Sequence, residues 1–298
     1  MLSYGQAIVL GLAQGITELF PISSLGHTVI LPALFGWHGL VAAESAPESF
    51  YLAFIVLLHV GTATGLLIYF REDWLRIIPA FFRTLGKRRI DTPDERMAWL
   101  LVIASIPAGI TGLALEHTLR TRFLKPLPAS IFLLVNGVIL LIGEGVRRRT
   151  AVASGARPDA TGAHRINVSS GVARRELNFV EALVIGFAQT FALLAGISRS
   201  GVTMVAGIVR GLDHEAAARF TFLLATPIIF AAGLLKLPDL FGPLGNGVRM
   251  QTLVGGICAA VTAYLSTRFL MRYFETKTLW PFGVYCIVAG ALCILRFA

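Results

Sequence analysis

Long apolar runs separated by short basic gaps dominate the chain. Six of them approach the roughly 17–25 residues that a bilayer-crossing helix needs: 51–70, 98–115, 127–143, 220–235, 250–267 and 278–295. Two further apolar stretches are interrupted. The stretch 5–34 carries Glu18, Pro21, Ser23 and Ser24, and the stretch 182–209 carries Gly196, Ser198, Arg199 and Ser200. Each predicts two short helices around a break. A break at membrane depth survives only where protein or a wet cavity covers it. Both stretches are therefore expected to be re-entrant hairpins that do not cross.

The two interrupted stretches resemble each other. Offset by 175 positions, "AIVLGLAQGITELFPISSLGHTVI" (7–30) lies over "ALVIGFAQTFALLAGISRSGVTMV" (182–205). Gly11, Gln14, Ser23, Gly26 and Thr28 recur as Gly186, Gln189, Ser198, Gly201 and Thr203. The chain reads as a first repeat over 1–146, a mobile cytoplasmic linker over 147–177 and a second repeat over 178–298. Three spans per half is an odd number, so the second half must be inverted. The expected fold is an all-α polytopic membrane protein with two inverted repeats, each a re-entrant helical hairpin plus three transmembrane helices.

Charge bears on this plan. Only 14% of the 298 residues are charged, against the roughly 25% usual for soluble domains, and the net charge is +9. The basic residues lie in the gaps, which points to membrane orientation rather than to nucleic acid. The topology puts 19 Lys and Arg on one side and 5 on the other. The basic side is then cytoplasmic and the first hairpin opens outward. Cys258, Cys286 and Cys293 lie in apolar stretches and read as small buried hydrophobes. No basic n-region precedes the first apolar run, so no cleaved signal peptide is expected.

The breaks carry the chemistry. Where the second half-helix starts, free amides and the positive dipole end form an anion site. Inverted repeats bring two such breaks to one pocket. Arg199, costly in hydrocarbon, needs a partner, and its planar fork of donors suits phosphate or carboxylate. Gln14 and Glu18, four apart, share a helix face, as do Ser24 and His27, three apart. The second pair sets a candidate nucleophile near a candidate base. Thr203 follows Arg199 by four and is expected on the same side. An anion clamp, a carboxylate and a hydroxyl–imidazole pair are the parts of phosphoryl transfer.

"QGITELFPISSLGH" and "GISRSGVT" resemble the two signature regions of the undecaprenyl-diphosphate phosphatase family, also called bacitracin-resistance proteins. The similarity extends over nearly the whole chain. It implies an enzyme of the bacterial inner membrane, with a site open to the outer face. Its activity would be removal of the terminal phosphate of undecaprenyl diphosphate, which recycles the carrier lipid for cell-wall synthesis. It also implies a divalent cation, Mg²⁺ or Ca²⁺, and admits a homodimer. Carried over by position, Glu18, Ser24, His27 and Arg199 are the catalytic candidates. Gln14, Ser23, Ser198, Ser200 and Thr203 are the substrate-binding candidates, and Glu18 with Gln14 the metal candidates. Two positions depart from the family pattern. Gln14 is the neutral variant of the first acidic position, so a cation must lean on Glu18, substrate oxygens and water. Ala195 stands where proline is usual, although Gly196 still permits a turn.

Plainer readings stand beside these. The serines could do no more than cap half-helices, and Glu18 could be only Arg199's structural partner. The nucleophile is open between Ser24 and His27. His59, inside the first span, is read as bonding a neighbouring helix rather than lining the cavity. His38, His117, His164 and His214 lie in gaps and show no metal-ligand spacing. The rival function is a transporter or flippase for lipid phosphate, since broken helices in inverted repeats also build transport sites.

Overall fold

A computed structural model describes residues 2–44, 50–153, 177–242 and 245–298. Among the described residues there are twelve α-helices and no strand: α1 (Tyr4–Thr17), α2 (Ser24–Leu34), α3 (His38–Glu44), α4 (Phe50–Tyr69), α5 (Arg71–Lys87), α6 (Pro93–Phe123), α7 (Pro126–Ala153), α8 (Phe179–Thr190), α9 (Arg199–Val209), α10 (His214–Phe241), α11 (Arg249–Phe274) and α12 (Trp280–Phe297). A short 3₁₀ turn, Phe191–Leu193, follows α8. Six helices are long and apolar enough to cross a membrane: α4, α6, α7, α10, α11 and α12. Their outer faces carry exposed Ile110, Leu113, Ile142, Val261, Leu265 and Leu292. Large aliphatic side chains in such rows meet lipid rather than water. The chain is a multi-pass membrane protein.

The gaps hold helices that the long apolar runs do not announce, and one of them corrects the start of the expected linker. The gap after the first span holds the helix α5, and the gap after the first interrupted stretch holds α3, which starts at His38. A search for long apolar windows passes over α5 because its apolar residues form only one stripe. Leu75, Ile78, Phe82 and Leu85 are exposed, while Ile77, Ala80 and Thr84 pack inward. The gap over 116–125 is mostly the last turns of α6, and α7 runs on to Ala153, so the first residues expected in the linker are helical. Backbone hydrogen bonding carries both helices past the apolar window that announces them. The rest of that linker, residues 154–176, lies outside the described residues, as does His164.

Close helix crossings hold the interrupted stretches in place. α1 packs on α11, α8 on α6, α7 on α12, and α4 on both α10 and α11. At the α1–α11 crossing, Gly11 meets the backbone of Gly255 so closely that a side chain at Gly11 would overlap its carbonyl. Small residues let backbones approach in this way where no hydrophobic force draws helices together. Both α1 and α8 open with a capping box, Ser3 with Gln6 and Asn178 with Glu181. These pairs are again 175 apart. Gln6 and Glu181 therefore serve the helix starts.

Candidate active site

Each interrupted stretch breaks where its sequence is polar. α1 ends at Thr17, and the chain turns through Glu18–Ser23 before α2 starts. Ser23 caps α2, its hydroxyl accepting from the Gly26 amide at 3.2 Å, and has φ +70°. A non-glycine residue in the left-handed region costs on the order of 1–3 kcal/mol and persists only where its surroundings over-determine it. They do so here. The Ser23 hydroxyl also accepts from the Gly196 amide of the second break at 3.2 Å, and its carbonyl accepts from His27 Nδ1 at 2.7 Å.

In the second break Ser198 caps α9, accepting from the Gly201 amide at 3.1 Å. Gly196 has φ +109°, and a side chain there would run into the Ala129 carbonyl and the backbone of Leu133. Glycine alone makes this turn against α7. Gly26 packs directly against Gly196. The starts of α2 and α9, and their positive dipole ends, therefore meet at one place.

Glu18 is the hub. Its buried carboxylate holds Arg199 of the second break through Oε1 and accepts the Ser24 hydroxyl through Oε2. The second oxygen also accepts from Gln14 Nε2 at 3.0 Å and lies 3.3 Å from His59 Nε2. Gln14, Glu18, Ser24 and Arg199 thus form one connected group drawn from both interrupted stretches. The Arg199 side chain keeps 18% of its surface exposed.

The hydroxyl–imidazole pair expected on α2 is not formed. Ser24 gives its proton to Glu18, and both nitrogens of His27 are engaged elsewhere. Nδ1 donates to Ser23, and Nε2 is 2.8 Å from the Tyr285 hydroxyl on α12. Helical spacing places two side chains on one face, but a stronger acceptor in the third dimension takes the proton. His27 and Arg199 share no partner; the path between them runs through Ser23, Ser24 and Glu18. Ser200 donates to the Phe20 carbonyl at 3.3 Å and lies 3.0 Å from the Ser198 hydroxyl, which stitches the two breaks together. Thr203 sits one turn after Arg199 on the same face of α9, but its hydroxyl is spent on the helix backbone. Its hydroxyl donates to the Arg199 carbonyl at 2.6 Å within α9.

His59 is a second correction. Its Nδ1 donates to its own helix at Ile55, 2.8 Å away, and its Nε2 faces Glu18, so it lines the site. Two further residues of the site lie in neither polar motif. Tyr285 is one. Asn136 of α7 is the other: it is fully buried, donates to the Pro21 carbonyl at 2.9 Å and accepts from the Ser198 amide at 2.9 Å. One amide thereby staples the two breaks. The only trace in sequence is a polar residue inside an apolar span, which is costly unless partnered. Asn136→Leu keeps the branched shape, removes the partner of the Ser198 amide and leaves the Pro21 carbonyl only the weak Cys286 thiol, at about 1–3 kcal/mol for each group left unmatched. The midpoint of thermal unfolding in detergent is expected to fall accordingly, and an unchanged midpoint would show that the staple is dispensable.

Among the described residues, no three His, Cys, Asp or Glu groups gather as a metal centre. Gln14 Oε1 is, however, a buried oxygen with no hydrogen-bond partner, next to the Glu18 carboxylate. Two hard oxygens of this kind suit Mg²⁺ or Ca²⁺ only if further oxygens come from a ligand and water.

Residues 7–292 match the family described as bacitracin resistance protein BacA. The chain is 53% identical to the undecaprenyl-diphosphatase 2 of Frankia alni, with 100% of this chain and 98% of that one covered. It is 54% identical to the undecaprenyl-diphosphatase of Mycolicibacterium paratuberculosis, covering 100% and 98%. It is 46% identical to the undecaprenyl-diphosphatase 2 of Burkholderia orbicola, covering 96% and 94%.

Proposed function

The chain belongs to the bacitracin resistance protein BacA family, and from that membership together with the site we infer that it is an integral membrane undecaprenyl-diphosphatase. It hydrolyses undecaprenyl diphosphate to the monophosphate and inorganic phosphate, and by supplying the carrier lipid it counters bacitracin. The observation that carries the residue assignment is the Glu18 hub, which binds the arginine of one break and the serine of the other.

The terminal phosphate is read as lying where α2 and α9 begin. There Arg199 exchanges part of its contact with Glu18 for bidentate contact with phosphate oxygens. Glu18 accepts the Ser24 proton as Ser24 Oγ attacks the terminal phosphorus. The bridging P–O bond breaks, and its electron pair stays with the lipid monophosphate. Water then cleaves the phosphoserine ester and restores Ser24. His27 carries a proton through Nε2, because Nδ1 is held by the Ser23 carbonyl. That engagement favours Ser24 over His27 as nucleophile, since the one nitrogen left to His27 already accepts from Tyr285. Ser23, Ser198 and Ser200 hold the breaks in register, and Thr203 supports α9 beneath Arg199.

A divalent cation, Mg²⁺ or Ca²⁺, would be held by Glu18 and Gln14 Oε1 and completed by phosphate oxygens. When bound it would neutralise charge developing on the phosphate.

The finer architecture we propose is a pair of inverted repeats, each a re-entrant hairpin followed by three spans. Two features support it: the 175-residue correspondence, and the way each hairpin's first helix packs on the second span of the other half, α1 on α11 and α8 on α6. The bias of Lys and Arg supports a cytoplasmic position for the α4–α6 and α7–α8 connections, with the site open to the outer face. The catalytic group closes within one chain, and a homodimer is compatible with it.

Protein purified in detergent is expected to release phosphate from undecaprenyl diphosphate in Mg²⁺ or Ca²⁺ and to lose that activity in chelator. Ser24→Ala is expected to lower the rate by roughly 10²–10⁴-fold. Detergent abolishes compartments. A folded protein that moves lipid across vesicles but releases no phosphate would be the transporter instead.

A further inference from the structure

We propose that Tyr285 of α12 is the positioning residue for His27, a part of the machinery that neither motif contains. The proposal rests on the reading of His27 as a proton carrier of the phosphatase site.

The tautomer of His27 follows from its partners. The Ser23 carbonyl can only accept, so the proton sits on Nδ1. In the neutral ring Nε2 is then an acceptor, and the phenol of Tyr285, 2.8 Å away, is its donor. The two rings lie nearly parallel, 11° apart with centroids at 5.9 Å. His27 is only 7% exposed, and the Tyr285 hydroxyl is the partner of its Nε2. Without the hydroxyl, one hydrogen bond alone would hold the ring.

A phenol also suits both states of a proton carrier. It donates to Nε2 when the imidazole is neutral, and accepts from Nε2–H when the ring is charged. The change needs only rotation of the phenol hydrogen. Neither ring moves, and His27 keeps Nδ1 on Ser23 throughout. Tyr285 therefore prepares the same Nε2 geometry before and after proton uptake, which is where pre-organisation lowers a barrier. Cys286, the next residue, lies 3.4 Å from Asn136 Nδ2. α12 is thus tied to the residue that staples the two breaks, and the phenol is presented from an anchored turn of helix.

The test is Tyr285→Phe, which keeps the ring and removes one oxygen. Losing a group that holds a catalytic imidazole in its tautomer costs up to about 10⁴-fold in the best-studied hydrolases. Here Ser23 still holds Nδ1, so kcat is expected to fall by about 10–100-fold with KM within about twofold. In ¹⁵N-histidine-labelled protein, assigned by comparison with His27→Gln, the ring is expected to stay the Nδ1–H tautomer held by Ser23 while its Nε2 resonance shifts as the Tyr285 hydrogen bond is lost. A purely structural role would lower the unfolding temperature and leave kcat and the Nε2 resonance unchanged. Wild-type kcat in Tyr285→Phe, or an unchanged Nε2 resonance, overturns the proposal. His27→Gln is the separate control. Its full activity would remove the reading of the site itself, whereas an inactive His27→Gln beside a fully active Tyr285→Phe would remove only the role of Tyr285.

Discussion

Arg199→Ala is expected to cut phosphate release by about 10²–10³-fold, the usual loss when one preorganised charge-stabilising donor is removed from a phosphoryl or acyl transfer site. Arg199 is the one arginine in the site's connected group, and it is set at the first turn of α9 beside Ser198 and Ser200. The helix start adds dipole and amides but no formal charge, so it cannot replace the guanidinium. Arg199→Lys is expected to stay within about tenfold of the alanine variant, because an ammonium offers a point charge where two parallel donors are needed. The effect belongs in kcat and KM together, since the same fork grips the ground-state phosphate. Rates measured on folded, monodisperse protein decide the matter. An alanine variant with wild-type turnover would mean that phosphate is held elsewhere.

Glu18→Gln is expected to be nearly as costly to activity and more costly to stability. The substitution removes the acceptor of the Ser24 proton and replaces a charged cation ligand with a neutral one. It also leaves Arg199 without the carboxylate that compensates it inside the membrane. Breaking a buried pair from one side costs about 3–5 kcal/mol, much of it the unpaired charge left behind. Arg199 is partly exposed, so the lower end of that range applies. The sign of a second measurement separates pairing from packing. Glu18→Gln combined with Arg199→Gln should unfold at a higher temperature than Glu18→Gln alone, because no charge is then stranded. Equal or lower stability of the double variant would show that the ion pair is not what Glu18 contributes to the fold.

Both predictions concern groups that sequence placed at the site, and the reason is local. Pro21 and Gly196 interrupt apolar runs, and Ser23 and Ser198 stand where a new helix needs its cap. Breakers, caps and runs of apolar residues act over a few neighbours, so they are readable along the chain. Arg199 and Glu18 are readable for another reason: an ionisable group at membrane depth must have a partner, whatever the fold. The serines divided in a way that sequence left open. Ser23 and Ser198 are caps, as the plain reading held, whereas Ser24 gives its hydroxyl to Glu18.

The misreadings have a common cause. Three-residue spacing paired Ser24 with His27, but spacing describes a cylinder and not what lies against it. Glu18 and Tyr285 approach from outside α2 and take the two groups apart. His59 looked like a helix-packing residue because its one visible feature was a polar ring in an apolar span. Its role appears only when α4 is set beside the end of α1. Long apolar windows do not reveal α5, since an amphipathic helix shows its apolar residues on one stripe alone.

The linear sequence by itself determined the six membrane-crossing segments, the two interrupted stretches, the internal correspondence between them and the reactive groups each contributes. These follow from hydropathy, helix breakers and caps, all set by near neighbours. Tertiary structure alone decided which groups share a proton. It gave Ser24 to Glu18, Tyr285 to His27 across 258 positions, and Asn136 to both breaks at once. Hydrogen bonds depend on ångström-scale placement of atoms from helices far apart in the chain, and no periodicity along one helix carries that information.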